Sequence, residues 1–214
     1  MKGELMKPQA RLETLIGTIV GDPRLHARWL NTFSFLEYVG FRKIVKSQRA
    51  EAVNATILTH AVEEGRHALR LKKLAMQVGG QAFETYATET LLCGEEAEDY
   101  FQALDHQCEA QFFDRDEPAR AKLTYLYVTW LVERRALEVY GAYKSALAGT
   151  AIAQKLDGLL AEEIGHLRQV ESELATNDPQ HATRAPLVIA LEAQLYETFL
   201  GTLAAALAAM PAHV

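Results

Sequence analysis

Hydrophobic positions recur at steps of three and four along most of this chain, the period of helices that bury one face. Leu12, Leu15, Ile16 and Ile19 mark a short first helix closed by Gly21. Asp22-Pro23 then reads as an N-cap followed by a proline at the first helical position. The helix it starts runs to about Lys46, with Leu30, Phe33, Glu37, Phe41 and Ile44 on one stripe. A second long helix is expected from about Ala50 to Val78, stopped by Gly79-Gly80. Its stripe reads Ile57, His60, Glu64, His67, Leu71 and Leu74. Residues 81–116 lose this regularity and turn acidic around Glu95, Glu96, Glu98 and Asp99, so one or two shorter helices are expected there. Asp116-Glu117-Pro118 opens a third long helix to about Ala148, striped by Leu126, Trp130, Glu133, Leu137 and Tyr140. A fourth, about Ala151 to Ala175, carries Leu156, Leu159, Glu163, His166, Val170 and Leu174. Asn177-Asp178-Pro179 is a turn, and a last helix from about Pro186 to Met210 becomes alanine-rich, a cover for the core or a dimer contact.

Charges interrupt these apolar stripes in a repeated pattern. Glu64-Gly65-Arg66-His67 and Glu163-Ile164-Gly165-His166 each place a carboxylate and an imidazole one turn apart on one helix face. With 21 Glu and 7 His in 214 residues, chance supplies about 0.7 such tetrads, so one alone means little. Here there are two, and each follows a glutamate on an apolar stripe: Glu37 lies 27 residues before Glu64, and Glu133 lies 30 before Glu163. Either interval is one helix-hairpin-helix return. The chain therefore reads as a doubled helix pair, all-α, with 81–116 as the long crossover of a single domain over 1–214, because each half alone would leave a Glu/His face half-formed.

Four carboxylates in a helical core are costly unless neutralised. Arg66, Arg134 and Arg135 lie beside the stripes but out of phase with them. Two divalent cations held by Glu37, Glu64, His67, Glu133, Glu163 and His166 would balance that charge, and oxygen donors with two imidazoles suit iron or manganese. Glu138 is an alternative ligand on the third long helix, but it sits about 140° around the helix from Glu133. Glu63 falls off the stripe of Glu64. Taken singly, His60 and Tyr140 are more often core packing than chemistry. They also fall on the ligand stripes, where His60 would orient a ligand or relay protons and Tyr140 would donate a hydrogen bond or act in redox.

Composition narrows the function classes. The net charge is -6 with both signs interspersed and no basic block, which gives nucleic-acid binding no electrostatic support. Cys93 and Cys108 form no Cys-x-x-Cys, so neither a rubredoxin-type iron site nor a zinc ribbon is expected. Lys2 and Lys7 precede an apolar stretch too broken by Glu13 for a signal peptide. The longest apolar run, Phe199 to Met210, is shorter than a membrane span. A soluble, cytoplasmic protein is expected.

The six ligand candidates together resemble the pattern of the ferritin-like di-iron carboxylate superfamily over about residues 24–175. Two Glu-x-x-His tetrads are similar to the rubrerythrin, ribonucleotide-reductase small-subunit and bacterial oxygenase branches rather than to ferritin, which has one. Rubrerythrins add a glutamate where this chain has Ala136, and the rubredoxin cysteines are absent. Glu133 with Tyr140 seven residues on, followed by Glu163-x-x-His166-Leu167, is locally most similar to aldehyde-deformylating oxygenases. The resemblance implies a ferritin-like four-helix bundle with a long crossover and two iron ions, with manganese or a mixed manganese–iron pair as variants. It implies an oxidoreductase that activates O2 or peroxide and oxidises a small apolar organic substrate. An external donor, a ferredoxin-like protein or a flavin reductase, would supply electrons, and a homodimer is possible. The alternatives are peroxide or ferrous-iron detoxification of the rubrerythrin or ferritin type, and a non-catalytic helical bundle.

Overall fold

In a computed structural model, residues 8–47 and 50–210 are described. Lys2 and Lys7 lie outside them. All regular structure among the described residues is helical: α1 (Pro8–Gly21), α2 (Pro23–Ser47), α3 (Ala55–Gly79), α4 (Gly94–Ala110), α5 (Glu117–Ala146), α6 (Ala151–Asn177) and α7 (His181–Ala209), with 3-10 turns at Ala50–Ala52, Gln81–Phe83 and Thr88–Thr90. They form two compact units, one spanning Glu13–Glu98 and one taking in Asp99 onward together with the chain up to Leu12.

In the Glu13–Glu98 unit, Asp22 caps α2 as its sequence predicts, its Oδ1 accepting from the backbone of Arg24 at 2.8 Å and of Leu25 at 3.0 Å. α3 begins five residues later than expected, because Asn54 takes the cap by accepting from Ile57 N at 3.0 Å. The two helices run antiparallel. Ala27 lies by Gly79, Ser34 donates to the Ala68 carbonyl at 2.7 Å, and Phe41 lies by Gly65. Leu30, Phe33 and Ile44 of α2 are buried, as are Ala61, Ala68, Leu71, Leu74 and Ala75 of α3. The irregular stretch after α3 is tied to α2 by polar side chains. Asn31 Nδ2 donates to Thr90 Oγ1 at 2.9 Å and to the Thr85 carbonyl at 3.0 Å, while Arg28 Nε donates to the Leu91 carbonyl at 2.8 Å. Leu92 N donates to Thr32 Oγ1 at 2.8 Å. Lys72 sits 3.4 Å above the Tyr86 ring and donates to Asn31 and the Thr85 carbonyl; burial lowers its pKa to about 8.

In the other unit, Asp116 and Thr150 cap α5 and α6. These helices are also antiparallel: Trp130 Nε1 donates to Glu171 at 3.2 Å at one end, and Lys144 pairs with Asp157 at the other. α7 is fastened by buried polar groups that sequence periodicity did not single out. Glu192 accepts from Arg135 Nε at 2.8 Å and Nη2 at 2.7 Å, and from the Tyr100 hydroxyl of α4 at 2.6 Å. Arg135 also lies 3.9 Å over the Tyr196 ring. α7 starts five residues before Pro186, the start expected from its sequence, because the first turn is anchored. Asp178 Oδ2 accepts from the Tyr127 hydroxyl at 2.7 Å and from Arg184 Nε at 3.0 Å, and Oδ1 from Gln180 N at 3.0 Å. That early start makes α7 longer than its apolar run. By length and composition alone it could cross a membrane, with 28% of its apolar window buried within the protein; the buried side chains are Val188, Glu192, Tyr196, Phe199, Leu200 and Leu203.

Two stability tests follow from these contacts. A Cβ on Gly79 would stand 2.6 Å from Ala27 Cβ and 2.2 Å from the Phe83 ring. Gly79→Ala should destabilise the protein by about 1–3 kcal/mol in denaturant melts despite the better helix former, as overpacking outweighs propensity. Burial pushes the Asp178 carboxyl up, but the Tyr127 hydroxyl, the Gln180 N–H and Arg184 together hold it below its ordinary 3.8. A depressed carboxyl stabilises the fold above its unfolded value and loses that contribution as pH falls through the folded one. Asp178→Asn should therefore cost stability at pH 7, with the gap to the unsubstituted chain narrowing below about pH 4 in melts.

Candidate metal centre

Each antiparallel helix pair brings two glutamates and a histidine together in its interior. On α2 and α3 these are Glu37, Glu64 and His67, all buried, with His67 fully so. His67 Nδ1 lies 3.5 Å from Glu37 Oε2 across the helix pair. One ligand atom from each of the three lies within 4.8 Å of the others. On α5 and α6 the counterparts are Glu133, Glu163 and His166. His166 Nδ1 lies 3.5 Å from Glu133 Oε1 across that pair and 3.1 Å from Glu163 Oε2 on its own helix. The same cross-helix geometry, imidazole Nδ1 to glutamate at 3.5 Å, thus arises twice from the same spacing of residues.

The two triads differ in detail. His60 Nε2 contacts Glu64 Oε1 at 3.3 Å one turn away, so the α2–α3 group has a second imidazole beside it. The position one turn before Glu163 is the apolar Leu159. Tyr140 is buried two turns beyond Glu133 on α5. Glu138, weighed as an alternative ligand, is exposed and pairs with Arg135. Glu63 is held by Arg66 at 3.4 Å on the outer side of α3. Sequence reading missed Gly40. A Cβ there would stand 2.9 Å from Glu64 Oε2, so the glycine leaves on α2 the space the carboxylate occupies. Its signal was a glycine one turn after Glu37 inside an otherwise strong helix.

The donor chemistry fits a divalent metal. Donors bound at about 2.0–2.2 Å to one ion stand about 3 Å apart, close to the 3.1–3.5 Å between the imidazole and carboxylate atoms in these triads. Oxygen donors with imidazole are the set that iron and manganese prefer over thiophilic metals. Each helix pair therefore gathers a set of donors that could hold a metal ion, from residues one turn apart on one helix and a single glutamate on the other. Comparison of the chain with protein-family models, with curated proteins and with solved structures gives no match.

Metal binding should be visible in stability before any activity is known. Ions that bind only the folded chain raise its stability by about 2.7 kcal/mol at a hundred times the dissociation constant. Chelator-treated protein should melt lower than protein refilled with iron(II) or manganese(II). Gly40→Ala should lower the bound metal in elemental analysis by displacing Glu64, while the metal-free protein melts no lower than the unsubstituted one, since alanine is worth about 0.5–1 kcal/mol over glycine in a helix. Equal melting with and without metal would argue for two buried ion pairs instead.

Proposed function

We propose that this chain is a di-metal carboxylate oxidoreductase of the ferritin-like kind, using two iron ions to activate O2 or peroxide. One observation carries the reading: two helix pairs, far apart in sequence, each hold a buried Glu/Glu/His triad with the same 3.5 Å imidazole-to-glutamate contact between helices. Between them the triads offer four carboxylates and two imidazoles, enough for two divalent ions. Bound iron would supply the electrons for reducing O2 or peroxide. The chain's own groups bind and orient. Glu37, Glu64 and His67 form one ligand set, and Glu133, Glu163 and His166 the other. His60, with Nε2 at 3.3 Å from Glu64 Oε1, steers that carboxylate and holds a proton beside it. The buried hydroxyl of Tyr140 is a proton or hydrogen-bond source on the Glu133 face. A small apolar organic substrate and an external electron donor of ferredoxin or flavin-reductase type complete the proposed reaction.

The test is stopped-flow oxidation of anaerobic, iron(II)-loaded protein, with iron measured for each variant. Two irons per chain are expected. His67→Ala and His166→Ala should each abolish O2 consumption rather than halve it, because reduction of O2 draws on both ions. Glu63→Ala and Glu162→Ala, one position from the ligands, should leave it nearly untouched. If Glu63→Ala fails as badly as His67→Ala, or if the loaded protein reacts with neither O2 nor peroxide, the reading is wrong. Reaction with peroxide alone would instead favour the detoxifying branch.

A further inference from the structure

Opposite its buried ligand face, α3 exposes an apolar stripe that the packing of the chain does not use. Leu58, Val62 and Leu69 are 56%, 58% and 55% exposed, and the half-buried Gly65 lies on the same line. The spacings of 4, 3 and 4 residues are those of the seam positions of a coiled coil. From α2 the half-buried Phe41 and the exposed Val45 border the stripe, with the Phe41 ring beside Gly65. A Cβ on Gly65 would touch nothing but that ring, at 3.7 Å, so the glycine is a shallow hollow floored by an aromatic face.

We propose that this face is a homodimer surface, on which a second copy of the chain docks its own α3 antiparallel to the first. The spacing of the stripe is symmetric about the midpoint between Glu63 and Glu64, with Leu58 corresponding to Leu69 and Val62 to Gly65. In an antiparallel pair centred there, Leu58 meets Leu69 of the second copy, and Val62 meets the hollow at Gly65. A twofold interface must be self-complementary, with each contact occurring twice. Knob and hollow are matched in this register, since the one small residue of the stripe falls opposite a β-branched one.

The bordering charges obey the same symmetry. Arg66 is half exposed and lies 3.4 Å from Glu63 of its own helix. In the antiparallel register it stands about 3 Å along the axis from Glu63 of the second copy, from the 1.5 Å rise per residue. Each arginine can therefore bridge both glutamates, and the interface carries this exchange twice. Burying three large apolar side chains per copy removes from water the surface that α3 otherwise exposes.

Sedimentation equilibrium over a concentration series tests the proposal, with helicity followed by circular dichroism. The unsubstituted chain should be a dimer. Val62→Asp should weaken it by roughly a hundredfold, the effect of an unpaired charge at the centre of an interface. Phe113→Asp, at an exposed phenylalanine elsewhere, should leave it intact. Gly65→Leu should also weaken the dimer while keeping or raising helicity, which separates a filled hollow from a damaged fold. Oxidative cross-linking tests the register. Chains carrying Leu58→Cys should cross-link to chains carrying Leu69→Cys, whereas either variant alone should do so no more than the unsubstituted chain with its native Cys93 and Cys108. A monomeric unsubstituted chain, a dimer indifferent to Val62→Asp and Gly65→Leu, or efficient cross-linking within either single variant would overturn the proposal.

Discussion

Charge burial governs this molecule. A carboxylate taken out of water costs several kcal/mol unless something of opposite sign or a strong donor meets it, yet Glu37, Glu64, Glu133, Glu163 and Glu192 are all buried. The chain meets this cost in two different ways. Glu192 receives a guanidinium fork and a tyrosine hydroxyl, a closed arrangement that satisfies both oxygens. Burial alone would lower the Arg135 pKa, but the carboxylate holds it above its ordinary value, and the Tyr100 hydroxyl is pushed well up by burial and by the same carboxylate. The other four glutamates are accompanied instead by imidazoles, which can be neutral donors to a metal as readily as charged partners.

The contrast is sharpest within α5. Glu133 and Arg135 are two residues apart and therefore project about 200° apart around the helix. One faces α6 and His166; the other faces α7 and Glu192. An arginine on the Glu133 face would have made a second structural ion pair. A histidine there leaves the carboxylate able to act as a ligand. The same choice recurs on α2 and α3, where Glu37 meets His67 and Glu64 meets His60. Gly40 leaves room for Glu64 on the α2 side, a concession of helix propensity to the space a carboxylate needs.

The two helix pairs are related but not interchangeable. His60 adds an imidazole to one triad, and Leu159 stands in its place in the other. On α3 the histidine beside Glu64 is His60, one turn earlier, whereas on α6 the histidine beside Glu163 is His166, one turn later. The two groups of donors therefore have different surroundings.

Much of this was decided locally, by residues a few positions apart. Helix faces, the Asp22 cap, the glycine stop at the end of α3 and the in-phase positions of Glu37, Glu64, His67, Glu133, Glu163 and His166 follow from 3.6-residue periodicity, which ties sequence spacing to direction in space. The preference for Glu133 over Glu138 was legible for the same reason: phase separates a buried from an exposed side chain on one helix. Other features depend on segments distant in the chain. Glu192 is buried because Arg135 and Tyr100 arrive beside it, Asp178 because Tyr127 and Arg184 do, and Lys72 because Asn31, Thr85 and Tyr86 enclose it. Periodicity reports which face a residue is on, not what covers that face. The apolar stripe of Leu58, Val62 and Leu69 makes the same point in reverse: their apolarity suggests a core, and only the packing of α2 against the opposite side of α3 leaves them in water.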